Sequence, residues 1–148
     1  MIVDYLMESN WPGDPERDEA LYEAIHTTLG LSSFCAVLAE QCLAETDECT
    51  ATTTRVVRKC AHVCQATMVT LARWETGDLD ALRGAVDDCV IACEEAIREF
   101  DRYLPEMNPI KHRGAMSYDT MFCMRKTREV SLDCKAACER FLQVWFGA

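Results

Sequence analysis

The sequence predicts an all-α protein: an antiparallel up-down-up-down four-helix bundle with a short irregular N-terminal segment. Three observations lead there. Four long runs carry apolar residues at helical spacing. Helix breakers gather between the runs, at Trp11-Pro12-Gly13, at Thr76-Gly77 and from Pro105 to Gly114. No stretch alternates apolar and polar residues as a half-buried strand would. Long helices joined by short connections run antiparallel to their chain neighbours. A chain of 148 residues suits one domain and can bury roughly 70% of its unfolded-chain surface. We divide it into a lead-in, 1–14, and a single bundle domain, 15–146.

The lead-in ends at Asp14, a candidate N-cap, and Pro15 suits a first helical turn. The first helix is expected from Glu16 to about Glu48, with Gly30 and Ser32-Ser33 inviting a kink. Cys35, Cys42 and Cys49 recur in it every seven residues, so their sulfurs drift by only about 20° per step along one stripe. The second helix is expected from Thr50 to Trp74, with Cys60, Cys64 and Met68 on one face beside Val57 and Leu71. Gly77 reads as a C-cap glycine and Asp78 as the next N-cap. A third helix runs to Leu104, where Pro105 stops it, and turns Leu82, Val86, Cys89, Cys93, Ile97 and Phe100 inward. After the loop from Pro105 to Gly114, a last helix from Met116 to Trp145 carries Cys123, Cys134 and Cys138.

Cysteine spacing is the chain's main chemical feature. Cys60-Ala-His-Val-Cys64, Cys89-Val-Ile-Ala-Cys93 and Cys134-Lys-Ala-Ala-Cys138 repeat one pattern on three helices. Positions i and i+4 share a helix face, with Cβ atoms about 5–6 Å apart. Two thiolates so placed can grip one soft ion, but side chains lying side by side are poorly aimed for a disulfide. Folding the chain at residues 50 and 77 sets Cys42 near Cys60, Cys35 near Cys64, and both Cys60 and Cys64 against Cys89 and Cys93. Pairing 104 with 116 puts Cys123 level with Ile97 and Cys134 level with Val86. The expected result is an axial column of thiols, from Cys49 near one end to Cys138 near the other.

Charge and composition narrow the function. A net charge of −10 argues against nucleic acid and against anionic membranes. No run approaches a membrane span, and residues 1–18 lack the basic-then-apolar pattern of an export signal. The expected compartment is the cytosol, where clustered cysteines read as metal-binding or catalytic before they read as disulfides. Thiolates select copper(I), zinc or iron–sulfur clusters. The chain contains no Cys-x-x-Cys, which weakens closed zinc and thioredoxin-like sites. Glu94-Glu95 lacks a Glu-x-x-His partner, and no nucleophile has an evident His and acid beside it, so we expect no enzyme. His62 points away from the cysteine face; His26 and His112 are weaker ligand candidates, one turned away and one in the loop. Met68, Met116, Met121 and Met124 read first as core filler.

The segment from Cys60 to Phe141 resembles the copper storage proteins, cysteine-rich four-helix bundles of bacteria. The resemblance rests on CAHVC with TMVTLAR, CVIAC with EEAI, and CKAACERF, with CAVLAEQC a less specific match in the first helix. It implies storage of several Cu(I) ions inside the bundle, in the cytosol, within a homo-oligomer and in exchange with a copper donor or acceptor. The ligands it implies are Cys60, Cys64, Cys89, Cys93, Cys134 and Cys138; Cys35, Cys42, Cys49 and Cys123 join them by their facing. Denser members carry overlapping cysteine runs, whereas this chain has Val86, Ile97, Thr127 and Val130 in the gaps. Two alternatives use the same residues: an iron–sulfur or thiol-redox bundle, and a helical module with inert core cysteines.

Overall fold

The computed structural model describes residues 14–45, 50–104, 106–107 and 116–147. Within them are four helices and no strand: α1 Pro15–Leu43, α2 Thr50–Ala72, α3 Leu79–Tyr103 and α4 Tyr118–Phe146. Lead-in residues 1–13, Cys49 and His112 lie outside the described residues.

Local chemistry sets the helix starts. Asp14 caps α1, its Oδ1 accepting from Glu16 N at 3.1 Å and Arg17 N at 3.4 Å, with Pro15 in the first turn. Asp78 caps α3 by accepting from Asp80 N at 2.9 Å. Ser117 caps α4 by accepting from Thr120 N at 3.2 Å, so α4 starts at Tyr118 instead of Met116. Helix ends differ more from expectation. α1 passes through Gly30 and Ser32-Ser33 without a break, then stops at Leu43 instead of Glu48, where Ala44 N bonds back to Gln41 O. α2 ends at Ala72, and the turn after it closes on Arg73 O, which accepts from Thr76 N. Gly77 is no left-handed cap. Among the described residues that conformation belongs to Gly147, with φ +71°, after α4.

Inter-helix contacts fix the directions. Along the α2–α3 seam, Thr53 meets Glu99, Lys59 meets Glu95, and Thr67 meets Ala85, so the two chains run oppositely. On the α3–α4 seam Asp101 pairs with Arg128 and Glu94 with Lys135. On the α1–α4 seam Glu23 pairs with Arg140 while Glu45 binds Thr120. Each helix packs on its chain neighbours, and α4 closes the ring on α1. The bundle is antiparallel.

The α3–α4 register departs from expectation. Arg128 sits against Asp101 and Arg125 against Glu106, so α4 lies about two turns from the position that pairing 104 with 116 gives. Ile97, expected inward, is half-buried, while Ala96, Glu99 and Phe100 take the interior.

The two ends of the bundle differ. Where α1 begins and α4 ends, Trp74 and Trp145 meet edge to face at 5.2 Å, Phe141 stacks on Trp145 at 4.9 Å, and Trp145 Nε1 donates to Arg17 O at 3.0 Å. The opposite end is polar. There Glu45 Oε1 accepts from Ser117 N at 3.1 Å, and from Ser117 Oγ and Thr120 Oγ1, both at 2.6 Å. The carboxylate thus sits at the α4 N-terminus, and its donors, Ser117 Oγ first, hold its pKa below the usual carboxylate range. Replacing Glu45 with Ala should lower unfolding stability by about 1–2 kcal/mol, measurable by urea denaturation.

Candidate metal centre

Each pair of cysteines enters the core because its helix turns one stripe inward. On α2 the buried stripe runs Thr53, Val57, Cys60, Cys64, Thr67 and Leu71; on α3 it runs Leu82, Val86, Cys89, Cys93 and Ala96. The α4 stripe is Met124, Thr127, Ser131, Cys134 and Cys138. Cys35, Cys42, Cys60, Cys64, Cys89, Cys93, Cys134 and Cys138 are all buried, and Cys123 is half-buried. All nine are free thiols.

The sulfurs converge. Those of Cys64, Cys89, Cys93 and Cys134, from three helices, lie within 4.8 Å of one another. Cys60 Sγ is 3.9 Å from Cys64 Sγ, and Cys64 Sγ is 3.8 Å from Cys89 Sγ. With a metal–sulfur bond near 2.3 Å, two sulfurs sharing an ion stand about 3.8 Å apart at a tetrahedral angle, about 4.0 Å when trigonal and about 4.6 Å when linear. The thiols therefore already stand at metal-bridging separations. Cys35 interacts with this set through Cys60, and Cys138 through Cys134 and Cys89.

Shared protons set the electrostatics of this group. Cys64, Cys93 and Cys138 are each pushed up, first by the hydrogen bond that each makes with Cys134. Those bonds, Cys138's first, hold Cys134 down to about 6 in spite of its burial. Cys35 is pushed up by its bond to Cys60, whose thiol is held down in turn. Negative charge in the network is thus spread over sulfurs that other thiols stabilise, an arrangement suited to cations.

Cys42 and Cys123 lie outside the converging sulfurs, though Cys123 is close enough to act electrostatically on Cys35. Cys42 is pushed up to about 11 by burial, then by Cys123 and Glu45, and its hydrogen-bond partner is Thr54. Burial also raises Cys123, whose partner is Thr127. The α3–α4 register explains Cys123, which comes to the level of the polar end and not of Ile97, and Cys134, which meets Cys89 and Cys93 instead of standing level with Val86. Cys42 differs because the α1–α2 register is also offset: Cys35 lies against Cys60 instead of Cys64, and Cys42 against Thr54 instead of Cys60.

His62 is exposed, and so is His26, which stacks on Tyr22 at 6.0 Å. Met68 is half-buried; Met116 and Met124 are buried. One interior group escaped the sequence. Glu99 is 4% exposed and accepts from Thr53 Oγ1 at 2.8 Å, with Arg102 at 3.4 Å.

No protein-family model matches this chain, and no curated protein matches it. Among solved structures, it is similar to the copper storage protein Ccsp from Streptomyces lividans, determined loaded with 10 copper equivalents. The TM-score is 0.75 at 23% identity, over 96% of this chain and 98% of that one. At that identity the likeness shows the fold.

Proposed function

We propose that this bundle stores Cu(I) on its interior thiolates, as a sequestering protein that turns nothing over. The observation that carries the reading is the convergence of four buried thiols from three helices within 4.8 Å, with further thiols bonded to them. The ligands are Cys35, Cys42, Cys60, Cys64, Cys89, Cys93, Cys123, Cys134 and Cys138, with Cys49 added by its seven-residue spacing from Cys42. Residues 15–146 act as one domain. The solved bundle that it resembles holds copper, which agrees with this choice of metal.

Charge balance supports a monovalent ion. Among the described residues no Lys, Arg or His is buried, and the one buried charged side chain is Glu99. A divalent ion on four thiolates leaves two uncompensated negative charges in that interior, which is costly. One monovalent ion per thiolate leaves it neutral. An iron–sulfur cluster on the same four cysteines meets the same penalty. Offering reduced protein Cu(I), Zn(II) and Fe(II) together should give bound copper, with protons released from the thiols that are protonated beforehand. Bound zinc or iron in place of copper would overturn the reading.

The pH dependence has a defined sign. Cys42, at about 11, is a protonated thiol at neutral pH, so copper must displace its proton. Each protonated thiol that copper displaces adds about tenfold per pH unit to the affinity, and for Cys42 this continues until pH about 11. Cys134, at about 6, exacts this only below that pH. Competition titrations at several pH values check both.

No described helix is long and apolar enough to cross a membrane. The cytosol, where thiols stay reduced, suits this function, and loading and release call for a copper donor and acceptor. Self-association into a homo-oligomer belongs to the same proposal, and sedimentation of the reduced protein tests it.

A further inference from the structure

The sulfurs do not form one continuous column. The sulfurs of Cys64, Cys89, Cys93 and Cys134 lie within 4.8 Å of one another, Cys60 Sγ is 3.9 Å from Cys64 Sγ, and Cys35 and Cys138 interact with this group through Cys60 and Cys134. Cys42 and Cys123 instead have hydroxyl-bearing neighbours, Thr54 and Thr127, and Thr127 Oγ1 donates to the backbone O of Cys123 at 2.7 Å. Their place follows from the Glu45–Thr120 hydrogen bond, at 2.6 Å, which ties α1 to α4. Cys42 precedes Glu45 by three residues and Cys123 follows Thr120 by three, so both lie about one turn inward of that tie on antiparallel helices. At their level α2 and α3 supply Thr53, Thr54 and Glu99 in place of thiols. Beneath them, Leu38 on α1, Val57 on α2, Ala96 on α3 and Thr127 on α4 are each fully buried and thiol-free. Cys35 lies seven residues from Cys42, and Cys134 eleven from Cys123, or about 10 Å and 16 Å along the helices.

Resting on the copper reading above, we infer that the described thiols make two compartments: a sealed seven-thiol cluster and an outlying Cys42–Cys123 site that takes a single Cu(I). Two thiolates and a monovalent soft ion suit two-coordinate binding, since the nearby hydroxyl and carboxylate oxygens are poor ligands for it. Unlike the neutral cluster, this site keeps one negative charge, which half-buried Cys123 carries beside solvent and the groove's Lys126. The compartments also differ in access. The cluster thiols are buried, whereas Cys123 lines a groove of about 260 Å³ with Ser33, Phe34, Val37, Phe122 and Lys126. An incoming thiol can reach Cys123 there. Exchange is a ligand substitution: the incoming sulfur binds copper and gives its proton to the Cys123 sulfur that leaves, with no change of oxidation state. Copper in the cluster leaves only when the bundle opens.

The experiment follows copper leaving the fully loaded chain after a Cu(I) chelator is added in excess. We expect about one ion per chain to depart in a fast phase, at least about tenfold ahead of the rest, because sealed sites wait on local opening. Cys42→Ser with Cys123→Ser should abolish that phase and leave the slow one intact. Val37→Trp, at an exposed position that fills the groove, should slow the fast phase without changing total copper. A single phase in the wild type, or a fast phase that survives the double substitution, would overturn the two-compartment inference while leaving copper storage standing. A wild-type chain that holds one ion or none would overturn both.

Discussion

Replacing Cys64 and Cys134 together with Ala is expected to remove more than half of the bound copper while the bundle stays folded. Cys64 touches Cys60 and Cys89, and its sulfur and that of Cys134 both lie within 4.8 Å of those of Cys89 and Cys93; Cys134 also interacts with Cys138. If each thiol bound copper independently, losing two of the nine described would cut capacity by about a fifth. Because these two bridge α2, α3 and α4, their loss strands neighbours that cannot complete an ion's coordination alone. Truncating two small buried side chains should cost about 2–3 kcal/mol in all, within the usual margin of stability. Copper per chain from chelator competition, beside helical circular dichroism, separates the outcomes. A loss of only a fifth would mean independent sites.

Copper loading should raise the unfolding midpoint by roughly 20 °C or more. Ions that bind only the folded chain add their binding free energy to folding, and structural metal sites supply on the order of 10 kcal/mol. For a chain of this length each kcal/mol moves the midpoint by about 2–4 °C. The shift should be largest for the cluster, whose sulfurs come from all four helices, Cys35 on α1 among them. Differential scanning calorimetry with and without copper measures it. An unchanged midpoint would mean that copper sits on loose thiols without crosslinking the helices.

The cysteine pairs were legible in the sequence because i, i+4 spacing on a helix fixes a shared face whatever the tertiary context. Cys64 beside Cys89 followed from the short turn at 73–78, which leaves little freedom in register. α4 was different. A connection as long as 105–115 sets no register, and ion pairs such as Arg128–Asp101 do so only once the helices meet. Cys123 and Cys134 therefore lie about one to two turns from the levels that the sequence predicts. The half-exposure of Cys123 was hidden as well: eleven residues return only to within about 20° of the same face, enough to set it at the edge of the stripe beside the groove. Glu99 was invisible to a search for apolar stripes, because its burial depends on a partner hydroxyl from another helix, Thr53.

The most direct test of the account is a count. Reduced wild-type chain, titrated with Cu(I) without oxygen against a chelator of known affinity, should take up about one ion per interior thiol, seven or more per chain. Saturation at one ion or none would show that the converging sulfurs are core packing and not a store.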